Sequence, residues 1–131
     1  MEIRLPRGDS RNIRLRLKDL YTQEMLNLIE YDEIYFTVKR KTSDPDEMIL
    51  IAKDTVDNGI VITSPGEGEA LVSLTKDDTN LEPRTYKFDI RCIKRDEHGE
   101  ISDVVSNYDD PGDFIVGKVV RREFPEGVVA P

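Results

Sequence analysis

The chain has 131 residues, 37 % apolar and 35 % charged, with a net charge of −8. That length fits one domain with a real core, and the composition excludes a chain disordered throughout. The negative charge opposes non-specific binding to nucleic acid or to anionic membranes, so neither partner is expected. No apolar run approaches the roughly 18 residues needed to cross a bilayer. The start, Met1-Glu2-Ile3-Arg4-Leu5-Pro6-Arg7, lacks the apolar stretch of a signal peptide. The single cysteine, Cys92, excludes an internal disulfide and a multi-Cys zinc site. A chain made in the bacterial cytoplasm is the expectation.

Strand patterns dominate in chain order. Ile13, Leu15 and Leu17 alternate with Arg14, Arg16 and Lys18, the period of two of a half-buried strand. Residues 20–31, with Leu20, Met25, Leu26, Leu28 and Ile29, read as a connection between strands holding at most a helical turn or two. Ile34, Phe36 and Val38 alternate with Tyr35, Thr37 and Lys39, and Met48 to Ala52 is continuously apolar. After an Asp57-Asn58-Gly59 turn come Ile60-Val61-Ile62, a loop at 64–69, and a strand with Ala70, Val72 and Leu74 on one face. Thr75-Lys76-Asp77-Asp78 has the form of a capped helical turn. Tyr86, Phe88, Ile90 and Cys92 mark the longest strand, His98-Gly99 a hairpin, and Ile101 to Val105 its return. A last strand is expected from Phe114 to Val120, with Gly117 as a bulge. Short strands at this spacing predict an all-β fold, an antiparallel β-sandwich of about seven to eight strands with at most one or two short helical turns, and a small barrel as the competitor. The expected domain spans 1–122, with 123–131 an extended C-terminal arm.

The order of segments resembles the N-terminal, Ig-like domain of the phage baseplate upper protein and its relatives. Arg7-Gly8-Asp9-Ser10 before the Ile13 strand resembles their opening turn, and Ile34 to Arg40 their second strand. Ala70 to Ile90 is the best match, with Leu74-Thr75, Asp78-Thr79, Leu81-Glu82-Pro83 and Thr85 to Ile90 in sequence. Phe114 to Arg121 resembles the closing strand. Arg84 departs from the family's usual Gly after Pro, and residues 19–32 are more apolar than its usual connection. The resemblance implies a non-enzymatic virion part of a phage or prophage, a tail or baseplate assembly module docking onto neighbouring subunits. Other virion proteins and further copies of the chain are the partners it implies. A carbohydrate- or receptor-binding module is the alternative, which a concave face lined by Tyr21, Tyr31, Tyr35 or Tyr108 would favour.

Chemistry finds few residues to work with. The one histidine, His98, sits in an expected hairpin tip, where no base is preorganised. Cys92 falls on an inward face and reads as a small apolar residue. The Asp109, Asp110 and Asp113 cluster is the best candidate for a hard cation, without EF-hand spacing. Some pair of the 27 acids must match glycosidase spacing by chance, and no Trp is present to hold a sugar. Arg7-Gly8-Asp9 is better explained as a turn than as an adhesion motif, and Gly66-Glu67-Gly68 lacks the Lys and helix of a phosphate cradle. No enzyme activity, cofactor or small-molecule ligand is expected.

The basic residues are distributed unevenly. Residues 1–18 hold six Arg/Lys against two acids, leaving 13 against 25 elsewhere. Arg14, Arg16 and Lys18 share the outward face of the Ile13 strand, while Lys118, Arg121 and Arg122 are expected on the last strand. If those strands pair, the six merge into a basic patch suited to an acidic neighbour; ordinary edge protection is the competing explanation.

Overall fold

The computed structural model describes residues 2–106 and 111–125. Nine strands form: β1 (Glu2–Pro6), β2 (Arg11–Arg16), β3 (Glu33–Lys39), β4 (Ile51–Asp54), β5 (Ile60–Ser64), β6 (Glu69–Leu74), β7 (Arg84–Arg95), β8 (Ile101–Ser106) and β9 (Gly112–Gly117). They make two sheets, one ordered β1-β9-β7-β3-β4 with β8 also on β7, the other β2-β6-β5. This is an all-β sandwich. Its strand neighbours follow the immunoglobulin order, in which a B-E-D sheet faces a sheet of G, F, C and C′.

Alternation decides which face each strand buries. Ile34, Phe36 and Val38 of β3 and Tyr86, Phe88, Ile90 and Cys92 of β7 point inward from the larger sheet. Leu15, Ala70, Val72, Leu74 and Ile60 meet them from the smaller one. At the centre the Phe36 ring lies 5.6 Å from Phe88 and 6.3 Å from Phe114, tilted and edge-on as aromatic quadrupoles favour. The Tyr86 hydroxyl donates to the Glu82 carbonyl at 2.6 Å, the tyrosine corner that ties the start of this strand to the crossing between sheets in immunoglobulin-type sandwiches.

β1 is an element that the periodicity did not announce. Its inward residues are only Ile3 and Leu5, too few for a period to stand out, and it lies parallel to β9. The sandwich is therefore not wholly antiparallel. The chain then crosses to the smaller sheet through Arg7–Ser10, where Gly8 adopts φ +79°. This crossing is bolted to the turn after β6. The Thr79 hydroxyl, fully buried, donates to the Asp9 carbonyl at 2.8 Å, and the Gly8 N–H donates to the Thr79 carbonyl at 3.2 Å. That second turn is a reciprocal cap: Thr75 N–H donates to the Asp78 carboxylate (2.7 Å) and Asp78 N–H to the Thr75 hydroxyl (3.2 Å). No helix propagates from it.

Three 3-10 turns form instead, at Leu28–Glu30, Asp46–Met48 and Pro65–Glu67, one more than the pattern suggested. The second of these and the exposed Met48 and Leu50 show that the apolar run Met48 to Ala52 is only partly strand, at an edge. The connection expected at 20–31 begins earlier, because β2 ends at Arg16 and leaves Leu17 and Lys18 outside the strand; residues 17–30 are anchored in the core by Leu17, Leu26 and Leu28. Hydrogen bonds from Leu17 N–H to the Gly68 carbonyl (2.8 Å) and from Leu26 N–H to the Leu17 carbonyl (3.0 Å) seat it on the 65–68 turn.

β7 is long enough to serve two partners on one edge. β9 pairs with its first half and β8 with its second. The final strand ends at Gly117, so Gly117 closes it rather than bulging within it, and Lys118, Arg121 and Arg122 lie beyond it.

Candidate functional site

The pairing that would have merged the basic residues is absent. β2 pairs with β6 in one sheet, the neighbours of β9 in the other are β1 and β7, and Lys118, Arg121 and Arg122 lie past the end of β9, so the two groups are not merged by strand pairing. The physical reason is β1, which occupies the edge of β9 that the Ile13 strand would have needed. On β2, Arg14 and Arg16 both reach Glu69 of β6, at 4.0 and 3.6 Å. Glu69 is directly opposite Arg16 in register, so part of this charge is answered within the domain. Lys18 follows β2 in a bridge with Met25. Residues 118–125 leave β9 without regular structure. Val120 is wholly exposed and Phe124 is 75 % exposed, with Arg121 stacked 5.4 Å from the Phe124 ring.

Of the cation candidates, Asp113 is on the outer face of β9 and is bound by Lys87 Nζ at 2.5 Å. A carboxylate already neutralised by an ammonium is a poor start for a cation site. Asp109 and Asp110, like Tyr108, lie outside the described residues. Among the described residues no group of three or more His, Cys, Asp or Glu converges as metal ligands would. His98 is exposed in the hairpin between β7 and β8, its N–H held by the Asp96 carboxylate at 2.9 Å. Cys92 is buried, and burial pushes its thiol up to about 12. A thiol held that high supplies little thiolate at neutral pH.

A concave feature with converging polar groups is on the outer face of the larger sheet. A groove of about 460 Å³ lies over β3 and β7. Pairing in register sets Thr37 opposite Asp89, Tyr35 opposite Arg91 and Lys39 opposite Lys87 along its floor. Most of these groups are already engaged. Lys39 Nζ donates to the Asp46 carboxylate (2.6 Å) and the Asp44 carbonyl (3.0 Å). Arg91 Nε donates to the Ser106 hydroxyl at 3.3 Å, and Lys87 holds Asp113. The Tyr35 hydroxyl donates to Glu33 at 2.5 Å, and Glu33 is gripped by Arg95 through two bonds of 2.8 and 3.0 Å. Hydrogen bonds from Arg95 and Tyr35 hold Glu33 below the usual carboxylate range.

Asp89 differs from its neighbours. Among the described residues its carboxylate accepts no hydrogen bond and has no ion pair. Burial pushes its pKa above the ordinary value, against the pull of Arg91 and Lys39, with Asp46 adding to the rise. Outward positions such as Asp89 and Tyr35 were legible from the alternation, but their adjacency depends on β3 pairing with β7, which a single sequence does not state. Of Tyr21, Tyr31 and Tyr35, the three among the described residues, Tyr35 alone is on this face: Tyr31 packs on the core beneath Lys94, and Tyr21 stands exposed in the 17–30 connection.

No protein-family model matches this sequence, and comparison with curated proteins finds no similar one.

Proposed function

We propose that this chain is a structural assembly module of a phage or prophage virion, docking in a tail or baseplate onto neighbouring subunits. The observation that carries the reading is the 118–125 segment. It leaves the sandwich with Val120 and Phe124 bare, beside Lys118, Arg121 and Arg122. Apolar side chains on an extended segment gain little until a neighbour covers them, and each then contributes about 1.5–3 kcal/mol. The flanking cations suit an acidic receiving surface, which a second copy of this acidic chain would supply. Support also comes from the two turns that resemble the baseplate family, Gly8-Asp9 and Thr75 to Thr79. They meet through Thr79 as one unit, so the resemblance rests on parts that depend on each other.

Mass spectrometry of purified particles from the phage or induced prophage encoding this chain tests the reading. The chain is expected in fixed stoichiometry with tail proteins, and its absence from the particles would overturn the proposal. In purified protein, Val120→Ser with Phe124→Ser is expected to lower the association state seen by sedimentation. Arg14→Glu with Arg121→Glu separates the charged contribution from the apolar one.

A further inference from the structure

The groove over β3 and β7 plays no part in the assembly reading, and its chemistry points elsewhere. We propose that it binds a neutral saccharide, with Asp89 accepting from ligand hydroxyls, Arg91 donating, and the Tyr35 ring offering an apolar face.

Charge selects the class. Lys39, Lys87 and Arg91 line the groove against Asp46 and Asp89, and Asp113 answers Lys87 from its margin, so the signs balance. A cationic ligand meets three cations; an anionic one meets Asp89 on the floor, which has no ion-pair partner among the described residues. A neutral ligand rich in hydroxyls meets neither obstacle. It can also use what the protein leaves open, because a carboxylate has about four acceptor sites and a guanidinium five donors. Asp89 and Arg91 are two residues apart on one strand face, about 7 Å, a separation that one sugar ring and its substituents bridge.

The floor is preorganised. Tyr35 is fixed by its bond to Glu33, itself clamped by Arg95, so the ring needs no ordering when a ligand arrives. Thr37 adds a hydroxyl beside Asp89, and Ile49, Ile93 and Pro111 supply apolar wall. The volume is within the range of small-ligand sites, about 300–1,000 Å³. Asp89 also costs stability, since a partly buried carboxylate with no partner among the described residues is disfavoured on folding. Such a group is accounted for when a ligand completes its hydrogen bonds.

An array of neutral and charged glycans, probed with labelled protein, tests the inference, and NMR amide shifts locate the binding. Wild-type protein is expected to retain neutral glycans, with shifts centred on Thr37, Asp89 and Arg91. Asp89→Asn and Tyr35→Ala should weaken binding about tenfold or more, whereas Tyr35→Phe keeps the ring and should lose far less. Thermal melts of each variant establish that it is folded. The proposal is overturned if no neutral glycan is retained, or if folded Asp89→Asn binds as wild type. It also fails if inorganic phosphate or spermidine, rather than a glycan, moves these amides. None of these outcomes bears on whether the chain is present in virions.

Discussion

Gly8, Gly68 and Gly99 share a left-handed backbone, with φ of +79°, +66° and +80°, but stand in different surroundings. An alanine at any of the three must adopt a conformation costing roughly 1–2 kcal/mol. At Gly8 and Gly99 a new Cβ meets nothing within 4 Å, so that cost is the whole effect. At Gly68 the Cβ falls 2.5 Å from the Leu17 carbonyl oxygen and 3.1 Å from that of Leu26. Both obstacles are backbone and cannot rotate aside. Relieving the overlap pushes the 17–30 connection off the 65–68 turn and adds about 1–3 kcal/mol, together with about 1 kcal/mol for the Leu17 to Gly68 hydrogen bond. Gly68→Ala is thus expected to cost about 3–6 kcal/mol against about 1–2 for Gly8→Ala and Gly99→Ala, a large share of a stability typically about 5–15. Urea unfolding followed by circular dichroism and tyrosine fluorescence measures all three. Equal costs for Gly68→Ala and Gly99→Ala would refute the reasoning, because the shared φ would then account for everything.

Two other predictions concern ionisable groups. Lys53 on β4 meets Asp78 of the Thr75 turn at 2.8 Å, linking the two sheets with both side chains largely buried. Burial raises the Asp78 pKa, but Lys53 and the Thr75 N–H outweigh it and hold the group below its ordinary value. The stabilisation is therefore complete above the unfolded value of about 3.9 and is lost as pH falls through the lower folded value. Lys53→Met should cost about 1–3 kcal/mol at pH 7 and progressively less below about pH 4. Urea midpoints that differ equally at both pH values would show that the ion pair is not the source. Cys92, with its thiol pushed up to about 12 by burial, should resist a disulfide reagent at pH 8 in the native state and react fully in denaturant. Rapid labelling of folded protein would show that β7 opens far more readily than its packing implies.

What the sequence made legible is what depends on near neighbours. A period of two gives the inward faces of β2, β3, β6 and β7, because alternate side chains of a strand must point to opposite faces. The Asp57-Asn58-Gly59 turn, the His98-Gly99 hairpin and the Thr75–Asp78 cap are contained within a few residues each, and all three form. Cys92 followed the alternation of its strand into the core.

Local pattern alone did not decide which strands became neighbours. The shared outward face of Arg14 and Arg16 was legible in the sequence, but two inward side chains in β1 were enough for it to take the edge of β9, and Lys118, Arg121 and Arg122 fell beyond the end of that strand, away from β2. The parallel pairing of β1, the buried Thr79 joining turns 70 residues apart, and the contact of Gly68 with the Leu17 carbonyl all arise between distant segments. The groove belongs with them. Alternation put Tyr35, Thr37, Asp89 and Arg91 on the outside of their strands, and only the register of β3 against β7 set them side by side. Composition and alternation determined an all-β chain with an apolar interior, since burial is a property of each strand face; the tertiary structure decided the surfaces, since a surface is made of residues that the chain brings together only by folding.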